Sequence, residues 1–290
     1  FNQDISGWNV SNLVSMGEMF LNAISFNQDI SSWDISGATN MASMLDNTAL
    51  SDENQCAIHT AWSSNGNWPY DWSSLCAPVV FQPQDSTELQ TAVDLWVSDN
   101  ASALSTYGEI NTWDVSLITS MSELFRDKTT FNDDISSWDV SNVTSMDIMF
   151  LNVSAFNQDL NNWDVSNVTD MSQMFQGATG FNQDLSSWDV ANVENMQAMF
   201  SIATSFNGDI SSWDVSSVTN MSYMFYEADS FDQDISSWTV QDNANLDNMF
   251  WVADGLSDEN KCAIHTTFSN NGSWPYDWSG LCIFTDITQD

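Results

Sequence analysis

The sequence predicts an α/β repeat fold, a solenoid of short parallel strands and short helices capped at both ends. Three observations predict it. Units of 25 residues follow one another, several opening on Phe-Asn-Gln-Asp. Apolar residues fall in fixed columns along those units. Within a unit the apolar spacing changes from alternation to steps of three and four. With such a period each unit is one coil, and a coil buries its apolar face only against the next coil.

Units begin at Phe131, Phe156, Phe181, Phe206 and Phe231, with others at Phe1 and Phe26 and a degenerate one holding Tyr107, Ile110 and Trp113. The core columns are Trp138, Trp163, Trp188 and Trp213, then Met146, Met171, Met196 and Met221, then Phe150, Phe175, Phe200 and Phe225. Trp138 and Val140 alternate among Ser and Asp, which reads as an inward-facing strand. Met146, Met149 and Phe150 lie three and four apart, which reads as one face of a helix of one to two turns, with Thr144 or Ser145 as its cap.

A larger repeat overlies the first. LSDENQCAIHTAWSSNGNWPYDWSSLC (50–76) recurs as LSDENKCAIHTTFSNNGSWPYDWSGLC (256–282), each time directly after an array. An array needs an end piece over its last apolar coil, and these segments suit that role. Cys56 with Cys76, and Cys262 with Cys282, share one spacing and predict two disulfides and an oxidising compartment. Each loop closure contributes about 3 kcal/mol on the chain-entropy model. Asp85-Ser86-Thr87-Glu88 is a capping-box helix start, and Leu89, Val93 and Trp96 form the apolar stripe of a helix over about 86–98 that would seal the front of an array. The expected order is the end of one module (1–76, two repeats plus the cap 50–76), a linker (77–85), a complete module (86–282, with repeats over 107–255 and a cap at 256–282), and the start of another (283–290). The chain thus reads as a piece of a longer string of modules.

Composition sets the function class. Forty acidic residues face three basic ones, a net charge of −37. That excludes nucleic-acid binding, which needs Lys and Arg to displace counterions, and charge-driven adhesion to an anionic bilayer. Acidic disordered chains have few aromatics, whereas this one carries 15 Trp and 17 Phe, so it folds. No apolar run reaches the roughly 20 residues that span a membrane.

The unit FNQDISSWDVSNVTDMSxMF resembles the repeats of BspA-type leucine-rich-repeat surface proteins. The resemblance covers nearly the whole chain apart from caps and linker. It implies a leucine-rich-repeat-like solenoid, export to the extracellular surface, and a role in adhesion or structure; no catalytic residue carries over.

Candidate sites are few. Two Asp columns run through the coils, including Asp134, Asp159, Asp184 and Asp209 in one and Asp139, Asp164, Asp189 and Asp214 in the other. Like charges stacked one strand apart repel. Either turn N–H groups offset the repulsion, or a hard cation such as Ca²⁺ does. Calcium is therefore a possible cofactor. Cys56, His59 and Cys76 could form a partial zinc site, but no fourth ligand is evident. Trp68 and Tyr70, with Trp274 and Tyr276 in the second cap, are candidates for contact with a neighbouring module. The two His both lie in caps, and no nucleophile elbow, phosphate loop or metalloprotease helix occurs, so no enzyme is expected. The expected function is a segment of a long extracellular surface protein acting as a fibre or adhesive stalk. Its partners would be copies of itself or adjacent modules. The alternative is a module recognising surface proteins or glycans of another cell through its sheet face, with calcium as a possible requirement.

Overall fold

The computed structural model describes residues 1–76 and 80–286. The chain forms two compact units, Phe1–Val79 and Val80–Asp290. Of the expected linker, 77–79 lie outside the described residues, as do 287–290 of the expected start of another module.

The expected fold class is corrected. Among the described residues no strand forms, only isolated parallel bridges such as Ser120 with Ser145, Ser145 with Asp170 and Asp170 with Asn195. The helix expected over 146–150 is absent too; the α-helices are α1 (Asp52–Trp62), α2 (Ser86–Ser98), α3 (Asn100–Tyr107) and α4 (Asp258–Phe268), all outside the coils. A leucine-rich-repeat-like α/β architecture therefore does not describe this chain.

The reason lies in where the coil's backbone bonds go. From Met146 to Val153 the chain makes three overlapping turns: Met149 N–H donates to Met146 O, Leu151 N–H to Ile148 O and Val153 N–H to Phe150 O. The alternate N–H groups leave the coil. Met146, Ile148, Phe150 and Asn152 donate to the carbonyls of Asp170, Ser172, Met174 and Gln176 in the next coil, at 2.7–2.9 Å. A helix would have kept those donors for its own carbonyls four residues back. Ile148 and Asn152 accordingly take left-handed φ values of 60°, as turns with a positive third residue require. In the first unit Met16, Glu18, Phe20 and Asn22 donate in the same way to Asn40, Ala42, Met44 and Asp46.

The strand expected around Trp138 fails for a related reason: side chains take the carbonyls a ladder would need. Trp138 Nε1 donates to Ile110 O at 2.8 Å, 28 residues back. Trp163, Trp188 and Trp213 repeat that bond to Ile135, Leu160 and Leu185. Asn142 and Asn167 Nδ2 donate to Ser116 O and Ser141 O, both at 2.8 Å. Asn132 Oδ1 accepts from both Asn157 N–H and the Gln158 amide. Ser, Asn and Asp offer the backbone such alternatives to regular structure.

Coils nonetheless meet their counterparts 25 residues on. Trp188 stacks on Trp213 with ring centroids 6.3 Å apart and planes within 1°, and Phe150 on Phe175 at 5.4 Å. Trp138, Trp163, Trp188 and Trp213 are each buried, and Met146, Met171, Met196 and Met221 are wholly so. Each stacked pair adds about 0.5–1.5 kcal/mol beyond burial.

Candidate functional site

The Asp columns sit in turns. Asp134, Asp159, Asp184 and Asp209 each accept the backbone N–H two residues on, at 2.8–2.9 Å. Asp139, Asp164, Asp189 and Asp214 do the same at 3.0–3.1 Å. The Ser166 hydroxyl and N–H together hold the Asp164 carboxyl below its ordinary value, and the Ser211 N–H and hydroxyl lower Asp209 likewise. Donors aimed at a carboxylate favour its charged form. Among the described residues no group of three or more His, Cys, Asp or Glu is set to hold a metal ion.

The rear caps form the most elaborate constellation. Cys56 is bonded to Cys76 and Cys262 to Cys282, with Cα atoms 4.8 and 5.0 Å apart. The sulfurs are thus unavailable to zinc, and His59 and His265 use Nδ1 to accept from Trp68 and Trp274 Nε1. Trp68, Tyr70, Trp274 and Tyr276 are half-buried against the core of their own unit.

The caps answer the direction of the coil bonds. At Met146, Ile148, Phe150 and Asn152 and their counterparts the inter-coil N–H groups point toward the following coil, while just ahead of these turns they point back, as from Thr169 N–H to Thr144 O. At these turns the last coil therefore presents unmatched donors, and the first coil unmatched acceptors. The rear caps supply acceptors: the Tyr70 hydroxyl accepts from Leu45 N–H and the Tyr276 hydroxyl from Phe250 N–H, both at 2.8 Å. Burial pushes both phenols up to about 12, so they stay protonated. The front cap of the second unit supplies donors: Ser86 Oγ donates to Ser120 O at 2.6 Å and Gln90 Nε2 to Leu124 O at 3.0 Å. Those carbonyls occupy the places that accept from the preceding coil elsewhere. Asp85 caps α2 through Thr87 and Glu88 N–H, and Glu88 returns a bond to Gln84 N–H.

The rear caps also imitate the opening of the next coil. Ser51 N–H and Asn54 Nδ2 both donate to Asn27 Oδ1, as Asn157 and Gln158 do to Asn132. Ser257 and Asn260 repeat this on Asp232. Sequence reasoning missed Ser86, Gln90 and the two tyrosine hydroxyls in these roles. The available signal was Ser51-Asp52-Glu53, a helix start that marks the beginning of α1.

No helix of the described residues is long and apolar enough to cross a membrane. Comparison with known proteins gives one family. A model described as "Mycoplasma protein of unknown function, DUF285" matches residues 1–64, 96–204 and 152–262, most of the chain. No curated protein and no solved structure matches.

Proposed function

This chain belongs to the DUF285 family, and from that premise we propose that it is a structural segment of an extracellular surface protein, a stalk built of capped repeat units strung on one chain. The observation that carries the reading is the closure of the second unit at both ends by complementary groups, donors in front and a phenolic acceptor behind. A unit finished in this way does not recruit further coils from another molecule, so a thread of such units grows through chain connectivity. The resemblance to BspA-type surface proteins and the two disulfides support an extracellular place, where thiols oxidise. The strongly negative charge keeps units soluble and apart. No catalytic step enters this reading, and calcium is not assigned a role in it, because the Asp columns already have donors.

Single-molecule pulling on this chain tests the reading. Each capped unit should unfold in its own step, and light scattering should give a monomer at all concentrations in oxidising buffer. Concentration-dependent polymers, or a single featureless extension, would end it.

A further inference from the structure

On the turn side of the second unit one coil carries small residues between bulkier neighbours. Residues 173 and 176, then 198 and 201, then 223 and 226 occupy the same two positions in successive coils. They read Gln and Gln, Ala and Ser, Tyr and Tyr. The small pair leaves a cleft one coil wide, about 290 Å³, with Ala198 and Ser201 as a buried floor at 5% and 2% exposure. One wall carries Gln173 and Gln176. The other carries Tyr223 and Tyr226, followed by Trp251 of the next coil. Trp251 is 54% exposed and Tyr223 37%. Tyr226 stands 5.6 Å from Trp251 and 6.0 Å from Tyr223, ring centroid to centroid, with planes inclined at 58° and 71°.

From this geometry we infer a binding site for neutral glycans. Exposed aromatic faces accept the C–H face of a sugar ring, an apolar contact that needs no charge. The opposite wall offers amides, each both donor and acceptor and so matched to hydroxyl groups. These amides differ from the others in the coils. Gln158, Gln183 and Gln233 donate to the preceding Asn, whereas no hydrogen bond within the described residues involves the Gln173 or Gln176 side chain. The electrostatics select the class. The chain carries −37 net charge, and its three basic residues are each paired with a carboxylate elsewhere. Sialylated or sulfated glycans would find repulsion and no counter-charge. The site does not rest on the structural role above; a stalk unit can carry it or lack it.

A glycan array probed with the labelled full chain decides the matter. Neutral oligosaccharides should be retained and sialylated or sulfated ones not. Trp251→Ala should weaken retention about tenfold or more, the size of a central aromatic anchor, with an unchanged melting temperature. Ser201→Gln combined with Ala198→Gln should abolish it. That variant restores the residues found one coil earlier, so it fills the cleft with side chains the coil already accommodates. Retention of no neutral glycan, retention of acidic glycans alone, or retention unaffected by the cleft-filling variant would each overturn the proposal.

Discussion

The two rear caps, 50–76 and 256–282, are two copies of one segment performing one task, and their few differences show where the task tolerates change. Both keep the Cys pair, the tyrosine hydroxyl on the last coil's N–H, the Trp-to-His bond and the Asn contact with the last coil's carbonyls: Asn65 to Ile35 and Ala38, Asn271 to Gln241. Around Trp68 and Trp274 the aromatic clusters nearly superpose, with Trp-to-Tyr distances of 5.1 and 5.2 Å and Tyr-to-Trp stacking at 4.7 and 4.8 Å. The covered apolar residue varies: the first cap's tyrosine bonds the N–H of Leu45, the second cap's that of Phe250. The first cap inserts Trp62, whose buried Nε1 has no partner, where the second inserts Phe268. Polar direction is thus conserved between the caps while apolar shape is negotiable.

The largest expected effect comes from cutting the staples. Replacing both cysteines of one cap by serine should cost about 3 kcal/mol. The cost should be the same for Cys56/Cys76 and Cys262/Cys282, since both close a sequence separation of 20. Chemical denaturation of each variant measures it, and clearly unequal losses would break the equivalence of the caps. Next, Tyr276→Phe leaves the Phe250 N–H buried without an acceptor and should cost about 1–3 kcal/mol. Tyr70→Phe should cost more, because that hydroxyl also donates to Asp46 at 2.8 Å. Reversal of that order would show that the acceptor role is not what the tyrosines share. A smaller contrast is Trp62 against Phe268. Trp62→Phe removes an orphan donor and should leave stability unchanged or slightly higher. Phe268→Trp should destabilise by about 1–3 kcal/mol through overpacking, and melting curves of the pair sharpen the comparison.

The smallest effect is that of pH. Asp71 and Asp277 are held below the ordinary 3.8 by the hydroxyls and N–H groups of Ser73 and Ser279. Groups with lowered folded values contribute stability that is complete above the unfolded value and is lost as pH falls through the folded one. In high salt, which screens the whole-chain repulsion that acidification also relieves, both caps should therefore weaken only below about pH 4. Weakening that begins near neutrality would point to some other group.

Much of the core was legible in the sequence, because Trp, Met and Phe recur at one period and one side of a coil is all that a neighbour can cover. The local conformation was not. Met146, Met149 and Phe150 satisfy a helical spacing, yet overlapping turns return the same side chains to the same face. What separates the two is whether N–H groups stay in the coil or leave it, and apolar spacing is blind to that. The position holding Asn22, Asn47, Asp127, Asn152 and Gly177 did carry a clue, since these residue types tolerate the left-handed φ observed there. Ile202, Glu227 and Val252 interrupt that column. The cap chemistry was hidden because a tyrosine hydroxyl answering a backbone donor across the chain leaves no periodic trace. The cleft was hidden because Ala198 and Ser201 look like ordinary substitutions until their bulkier neighbours are placed beside them.

The repeated orientation of the peptide groups in each coil has a bearing on how such chains can change. Every interior coil receives on its leading edge the same pattern it offers on its trailing edge. Excising or duplicating a whole 25-residue block therefore leaves both lids facing the partners they already fit. Reach becomes adjustable by gene-level slippage in whole steps, with no new interface to invent, whereas the lids admit no reversal of the array between them.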